Sequence, residues 1–269
     1  MKKIITGLAI CAGMYSCQKI DLNQEFPIDP SSTAVVVPNI RLVSYNIHGG
    51  KGPAGEGTLD QNLTAFTELL EGEHIVCLQE VVPAEWDKIK SLFPTYQYRY
   101  FLPQVTTKNK WKKKGGGNAI FSKLPILYYD SKLIQTDPGG DRWQRKAQFV
   151  KVQVGGQYEV LNLFHYHNTY NWHHDDSQSE KEGLEKFMSY ISESIQPDDL
   201  VVATGDFNLI SFDALQIISE PPFTSYVSNW VDYVFSSSPL LEQNFYPTVE
   251  LELSDHNAVW AIVCNEECN

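Results

Sequence analysis

The stretch Ser254-Asp255-His256-Asn257-Ala258-Val259-Trp260-Ala261-Ile262-Val263 places an acidic residue and a histidine directly before an apolar strand. Both groups lose water at the mouth of a buried strand, so such a pair is kept for chemistry or for a satisfied hydrogen bond. Four other strand-like runs also end in polar residues, at 44–48, 78–80, 164–165 and 205–208. Polar residues at several strand ends indicate a layered fold with its site at one edge of the sheets.

Strand-like and helical segments alternate from residue 39 onward, with no second linker. Apolar spacing predicts helices over 59–70 and 177–195 and a shorter helix over 84–93. Alternating or short apolar runs predict strands over 40–47, 73–79, 96–102, 117–122, 127–135, 147–154, 158–165, 200–204, 231–236 and 258–263. Many strands and few helices predict an α/β fold in which two packed, mostly antiparallel sheets are covered by outer helices.

The bulk composition fits one large globular domain. The chain has 269 residues, of which 42% are hydrophobic, and its 14 Tyr, 13 Phe and 6 Trp favour a β-rich protein. The net charge of −12 excludes a long-range attraction of the whole molecule for nucleic acid. An acidic enzyme with cations confined to its site remains compatible with this charge.

The N-terminus has the features of an export signal. Lys2 and Lys3 precede a short apolar stretch over residues 4–14, which is too short to span a bilayer. Residues 13–17 end in Cys17 and resemble a relaxed lipobox, so we expect residues 1–16 to be a signal peptide and Cys17 to carry a lipid. The alternative is an ordinary signal peptide cut nearby. Residues 17–38 then form a tether, residues 39–269 form the folded domain, and the protein is an exported, membrane-anchored lipoprotein of the periplasm or cell surface.

The remaining cysteines allow few conclusions. Cys77 lies in an apolar run and is predicted to be a buried small hydrophobe. Cys264 and Cys268 flank a polar tail and have three residues between them. This spacing leaves three possibilities open: a local disulfide, a zinc site, or neither.

The polar strand ends supply the groups that metal-assisted phosphodiester hydrolysis needs. A divalent cation takes carboxylates and waters, and Glu80 is the leading ligand, supported by Asn46 and Asp255. His256 can activate water if Asp232 fixes its tautomer. Donors that hold the phosphoryl oxygens are predicted to be Asn208, His165 and an arginine.

Six short stretches together resemble the endonuclease/exonuclease/phosphatase superfamily, which has the fold of pancreatic deoxyribonuclease. They are residues 43–46, 78–80, 117–126, 205–208, 231–234 and 254–256. The order and spacing of the stretches carry the resemblance, which extends over residues 40–263. Two departures stand out: Asn257-Ala258 follows the His where Pro is usual, and Val81-Val82 follows Glu80, unlike the abasic-site repair branch.

The resemblance implies a four-layer α/β sandwich, with Mg²⁺- or Mn²⁺-dependent hydrolysis of phosphoesters. It places Asn46 and Glu80 at the metal, with Asp255 beside it. It gives Asp206 and Asn208 roles in orienting water and binding phosphate. His256, held by Asp232, becomes the base or the histidine that polarises the phosphate, and Asn118 is expected on the substrate-facing rim.

Some assignments stay open within the resemblance. The family's mid-chain histidine is His165 or His167, and we favour His165 because it directly follows an apolar run. The family's arginine is Arg142 or Arg145, and we favour Arg145, which is nearer the strand start.

Two loop residues are predicted to contact substrate. Lys112 belongs to a lysine-rich run over 108–114 that is either a solvated loop or an arm for a phosphate-rich substrate. Trp172 either stacks on substrate or covers a core edge.

The expected partner is a phosphoester, and the protein is expected to act as a monomer. A nuclease or phosphodiesterase is our first interpretation. Phosphoinositide, inositol-phosphate and sphingomyelin-type hydrolysis are alternatives, and a catalytically silent, lipid-anchored binding module is the alternative of another class.

Overall fold

The structure is a computed structural model that describes residues 36–104, 116–136, 144–168, 177–209 and 212–266. The predicted signal peptide, Cys17 and most of the predicted tether lie outside these ranges. Within them the chain forms two β-sheets of six strands each. No helix in the described ranges is long and apolar enough to cross a membrane.

The first sheet has the strand order β11-β12-β1-β2-β4-β3. Its strands are β1 (Asn39–Asn46), β2 (Ile75–Gln79), β3 (Tyr98–Pro103), β4 (Gly117–Ser122), β11 (Leu240–Tyr246) and β12 (Ala258–Cys264). Strands β1 and β2 are parallel, and the other neighbours are antiparallel. Strand β12, which follows the Asp-His pair of the sequence, lies beside β1 in the middle of the sheet.

The second sheet repeats this plan with the order β5-β6-β7-β8-β10-β9. Its strands are β5 (Ile126–Thr136), β6 (Gln144–Gln153), β7 (Val160–His165), β8 (Leu200–Asp206), β9 (Ser225–Asn229) and β10 (Asp232–Ser236). Here β7 and β8 form the one parallel pair. Both sheets are therefore mostly antiparallel, as the sequence predicts.

Three apolar clusters hold the layers together. Inward-facing residues of both sheets, such as Leu42, Val202 and Val259, form a fully buried core between them. Helices α1 (Leu59–Leu69) and α2 (Trp86–Leu92) cover the outer face of the first sheet, with Phe66 in their cluster. Helices α3 (Ser177–Ser194) and α4 (Phe212–Ile218) cover the second, with Phe187 in theirs. The predicted four-layer α/β sandwich is confirmed.

The parallel pairs determine where the polar strand ends meet. Asn46 pairs with Gln79 at the ends of β1 and β2, and His165 pairs with Thr204 near the ends of β7 and β8. Gly205 adopts φ +149, and a Cβ on it would lie 1.7 Å from the carbonyl oxygen of Tyr166. Only glycine lets β8 approach the chain after β7 this closely, so residue 205 fixes the position of Asp206.

Two strands and one α-helix were not predicted from the sequence: β9, β11 and α4. Two of them, β9 and β11, are edge strands with several polar, exposed residues, so they lack a continuous apolar pattern. Cys77 is a buried free thiol, as predicted, and Cys264 is disulfide-bonded. Cys268, the other cysteine of the tail, lies outside the described residues.

Candidate active site

Polar side chains from both sheets converge at one edge of the sandwich. Asn46 ends β1 in the first sheet, and Asp206 ends β8 in the second. The Nδ2 atom of Asn46 donates to Oδ2 of Asp206 over 3.0 Å, which joins the two sheets at this point. Asp232 begins β10 and pairs with Asp206 across the sheet, while His256 precedes β12. Five predicted site residues are thus brought together, with Glu80 completing the group after β2.

The orientation of Asn46 is fixed by the backbone. Its Oδ1 accepts a hydrogen bond from the backbone N–H of His48 at 3.0 Å. Its Nδ2 therefore faces the site, within 3.2 Å of Oε1 of Glu80 and 3.5 Å of Nε2 of His256. In this structure Asn46 presents its amide nitrogen to the carboxylates, and its place at the metal stays a prediction.

His256 and Asp232 form the closest polar pair of the site. Nδ1 of His256 lies 2.6 Å from Oδ2 of Asp232, and both residues are buried. Burial lowers the pKa of His256, but the charge and hydrogen bond of Asp232, together with Asp206, raise it overall to about 10. Nε2 of His256 points toward Asp206, whose Oδ2 lies 3.9 Å away. The imidazole is thus held by one carboxylate and directed at another.

Asp206 is the centre of the cluster. Its Oδ1 accepts from the backbone N–H of Asn208 at 3.0 Å, and Oδ2 accepts from Asn46. Burial and then the charge of Asp232 raise the pKa of Asp206 above its ordinary value. Asn208 adopts φ +49, and its Nδ2 donates to the carbonyl oxygen of Asn168 at 3.2 Å. The Gly-Asp-Phe-Asn segment therefore positions both a carboxylate and an amide at the site.

Glu80 enters the site through an unusual backbone conformation. It adopts φ +58 directly after β2, and a Cβ on Gly116 would lie 2.8 Å from its Cα. A left-handed conformation at a non-glycine residue is uncommon and concentrates at functional sites. Burial and then the charge of Asp206 raise the pKa of Glu80, with the Asn46 hydrogen bond opposing them.

Asp255 lies at the outer margin of the site. Its side chain is 41% exposed, and Oδ1 lies 3.5 Å from Nδ1 of His48 and 3.9 Å from Nε2 of His256. Ser254, to which no role was given from the sequence, is the residue that fixes this segment. Its Oγ donates to the carbonyl oxygen of Asn46 at 2.7 Å and accepts from the backbone N–H of His256 at 3.2 Å.

Comparison with known proteins identifies the arrangement. Residues 43–256 match the Endonuclease/Exonuclease/phosphatase family over nearly the whole described domain. The chain belongs to this family. No curated protein matches this chain.

Several solved structures share the fold. The Beutenbergia cavernae protein is 17% identical, with a TM-score of 0.66, covering 86% of this chain and 72% of that one. The Bacteroides vulgatus protein is 16% identical, with a TM-score of 0.66, covering 84% and 98%. D. rerio TDP2, solved in complex with a single-strand DNA product, is 16% identical, with a TM-score of 0.63, covering 84% and 99%. The family and the site together support a metal-dependent phosphoester hydrolase.

His167, and not His165, reaches the cluster of polar side chains around Asp206. Nε2 of His167 lies 3.5 Å from Oδ2 of Asp206. Backbone pairing continues past the end of β7, because Tyr166 N–H donates to Thr204 O and Asn168 N–H donates to Asp206 O. The rim therefore lies two residues beyond the strand end at which we placed it. Burial and the nearby charge of Arg145 hold the pKa of His167 well below its ordinary value.

His165 lies between the sheets, below the site. It is fully buried, with Nε2 2.6 Å from Nε2 of Gln79 and Nδ1 3.1 Å from Oε1 of Gln148. Gln79 also donates to Oγ of Ser44 at 3.0 Å. Burial lowers the pKa of His165 to about 3, so the imidazole is neutral in the folded protein. His165 belongs to a polar network that supports β2 directly before Glu80.

The neutral state of His165 predicts a specific loss of stability in acid. Its pKa is lower in the folded chain than the ordinary 6.5, so its contribution is complete above about pH 6.5 and declines as the pH falls toward 3. Between pH 7.5 and 5 the wild type should lose about 2 kcal/mol of unfolding free energy that His165→Gln does not lose. Urea unfolding of both proteins at the two pH values measures this difference. An identical pH dependence of the two proteins would contradict the buried, neutral imidazole.

The remaining residues that we predicted to contact substrate are either buried or outside the described ranges. Asn118 on β4 is fully buried, and its place on the substrate-facing rim stays a prediction. Neither atom of its amide has a hydrogen-bond partner among the described residues. Arg145 on β6 is 9% exposed and near enough to influence His167. Lys112, Trp172 and the alternative Arg142 lie outside the described residues.

The donor set fits a divalent cation. Ligand atoms of Asp206, Asp232 and His256 lie within 4.8 Å of one another, and all three residues are buried. Glu80 adds a further carboxylate beside Asn46. Hard cations such as Mg²⁺ take carboxylate oxygens, and close buried carboxylates repel each other unless a positive charge compensates them. Glu80 is the ligand we favour, because Asp232 is engaged with His256 and Asp206 with Asn46 and Asn208.

Proposed function

We propose that this protein is an exported phosphodiesterase, dependent on Mg²⁺ or Mn²⁺, that cleaves nucleic acid. The observation that carries the proposal is the contact between Asp232, His256 and Asp206 at the edge where the two sheets meet. A phosphodiester lying there would have an imidazole, an amide and carboxylates within reach of its phosphorus. The family supports hydrolysis of phosphoesters, and the TDP2 structure with a DNA product supports nucleic acid as the substrate.

His256 and Asp206 have opposite roles in the proposed reaction, the first as a cation and the second as a base. His256 keeps its proton because Asp232 raises its pKa, so it acts by polarising a phosphoryl oxygen and not as the base. Asp206 has a raised pKa and faces His256, which suits it to accept the proton of the attacking water. Of the two roles that the sequence allowed for His256, the electrostatics favour the polarising one.

Other side chains position the substrate. The proposed partners of the phosphoryl group are Asn208, whose backbone is anchored to Asp206, and His167, whose Nε2 lies beside the same carboxylate. Arg145 supplies positive charge close to His167. A cation held by Glu80 would neutralise the non-bridging and leaving oxygens. His167, His256 and Asn208 all lie within 3.9 Å of Asp206, so donors and base are gathered at one point.

The export proposal rests on the N-terminal sequence. Lys2 and Lys3, the short apolar stretch and Cys17 support secretion with a lipid anchor, which would place the domain at a membrane surface. Labelling with a radioactive or clickable fatty acid tests the anchor: Cys17→Ser should abolish incorporation and release the domain.

Removal of metal should abolish hydrolysis. In excess EDTA, cleavage of bis(p-nitrophenyl) phosphate is expected to fall by about a thousandfold or more, since metal stabilisation of the transition state is worth several kcal/mol. Addition of Mg²⁺ or Mn²⁺ in excess of the chelator should restore the rate. The same assay with p-nitrophenyl phosphate separates the diesterase from a monoesterase. Full activity in EDTA would overturn the metal dependence, and preference for the monoester would overturn the diesterase.

A further inference from the structure

A large aromatic side chain lies exposed beside the imidazole of His256. Trp230 is 66% exposed, and its indole centroid lies 5.5 Å from the His256 ring at an interplanar angle of 37°. A tryptophan usually buries most of its surface, so a position this open at a site points to a contact made only when a ligand binds.

The backbone at Trp230 is held in a conformation that tryptophan disfavours. Asn229 pairs with Asp232, so Trp230 and Val231 form the two-residue turn between β9 and β10. Trp230 adopts φ +57, the left-handed region in which glycine, asparagine or aspartate is preferred at such a turn. A bulky residue there carries local strain, and strain of this kind concentrates at functional positions. Turn formation alone does not explain the choice of tryptophan.

The turn is fixed on both sides, so the indole projects from a rigid support. The carbonyl oxygen of Val231 accepts from the backbone N–H of Phe207 at 2.9 Å, which ties the turn to the end of β8. Oδ1 of Asn229 accepts from Nδ2 of Asn257 at 3.3 Å, which ties it to the segment that carries His256. Val231 itself is buried. An aromatic platform that is already ordered loses little entropy on binding.

We propose that Trp230 stacks on a nucleobase adjacent to the phosphoryl group held by His256 and Asn208. The inference rests on the proposed function and narrows its substrate to nucleotidyl phosphoesters. A single open indole face matches a planar base, whereas inositol and glycerol groups offer no π-face. A quaternary ammonium head group is recognised by several aromatic faces together, and among the described residues Trp230 is the one exposed aromatic with a ring contact to a proposed active-site side chain.

Binding of matched small phosphates tests the platform without requiring turnover. Adenosine 5′-monophosphate and ribose 5-phosphate share the sugar phosphate and differ in the base, and phosphocholine represents a lipid head group. Titration calorimetry in Mg²⁺ should show that wild-type protein binds the nucleotide at least about tenfold more tightly than ribose 5-phosphate, the usual effect of one base–aromatic stack. Equal affinities, or tightest binding of phosphocholine, would overturn the inference.

Variants separate stacking from support of the turn. Trp230→Gly suits the positive φ and should remove the preference for the nucleotide while leaving the affinity for ribose 5-phosphate unchanged. Trp230→Phe should retain most of the preference. Tyr226→Ala is the matched control, because Tyr226 is 45% exposed on β9 of the same hairpin. Equal weakening of both ligands by Trp230→Gly would indicate a structural role. Loss of hydrolysis in Glu80→Gln tests the proposed function separately, since the base preference is measured by binding alone.

Discussion

Replacement of Glu80 by Gln is expected to reduce the hydrolysis of bis(p-nitrophenyl) phosphate by about three orders of magnitude or more. The carboxylate is the favoured ligand of the cation, and a neutral amide holds a hard cation poorly. Loss of the metal's charge stabilisation removes several kcal/mol from the transition state. The rate constants at saturating Mg²⁺ for variant and wild type give the effect.

The same substitution should leave the fold at least as stable. Burial and the neighbouring Asp206 raise the pKa of Glu80, which means that its charge is held at a free-energy cost when no metal is present. Gln removes that charge and can still contact Nδ2 of Asn46 through its carbonyl oxygen. Thermal unfolding in EDTA should therefore show an equal or higher Tm. Glu68→Gln, on the exposed surface of α1, is the matched control and should change neither property. A folded and fully active Glu80→Gln would remove Glu80 from the site.

The sandwich was predictable because its inner strands carry continuous apolar patterns. Strands such as β2 and β8 are fully buried along their length, so short apolar runs identified them. The edge strand β11 is mostly exposed and reads Leu-Leu-Glu-Gln-Asn-Phe-Tyr, which has no inward face that a pattern can detect. Helix α4 has seven residues, fewer than a periodic pattern needs to be distinguished.

The site was predictable to the extent that strand ends determine it. Asn46 ends β1 in the first sheet, and Asp206 ends β8 in the second. Each strand belongs to the parallel pair of its own sheet, so the strand arrangement brings the two residues to the same edge. The choice between His165 and His167 depends on how far pairing continues beyond β7, and local sequence does not record that distance. The donor face of Asn46 likewise depends on a backbone N–H two residues later. Trp230 escaped notice because its importance lies in its exposure and in the conformation of its turn.

His256→Ala should reduce turnover by about two to four orders of magnitude, the range expected for loss of a positioned acid–base group or a charged donor. Asp232 acts through His256, so the double variant Asp232→Asn/His256→Ala should be no slower than His256→Ala alone. Asp232→Asn alone removes the charge that raises the pKa of His256. The loss of activity at high pH should therefore begin at a lower pH in this variant than in the wild type. Rates from pH 6 to 10 for the four proteins complete the cycle.

The unfolding free energies of the same four proteins test independently whether Asp232 and His256 act together. Asp232 is 1% exposed, and its Oδ2 bonds His256 while its Oδ1 has no hydrogen-bond partner among the described residues. Removal of the imidazole leaves a buried carboxylate without its partner, which should lower the unfolding free energy by about 3 to 5 kcal/mol in EDTA at pH 7. Asp232→Asn added to His256→Ala removes that charge and should recover part of the loss. Strictly additive effects on both rate and stability would mean that the two residues act separately, and His256 would then need another source for its positive charge.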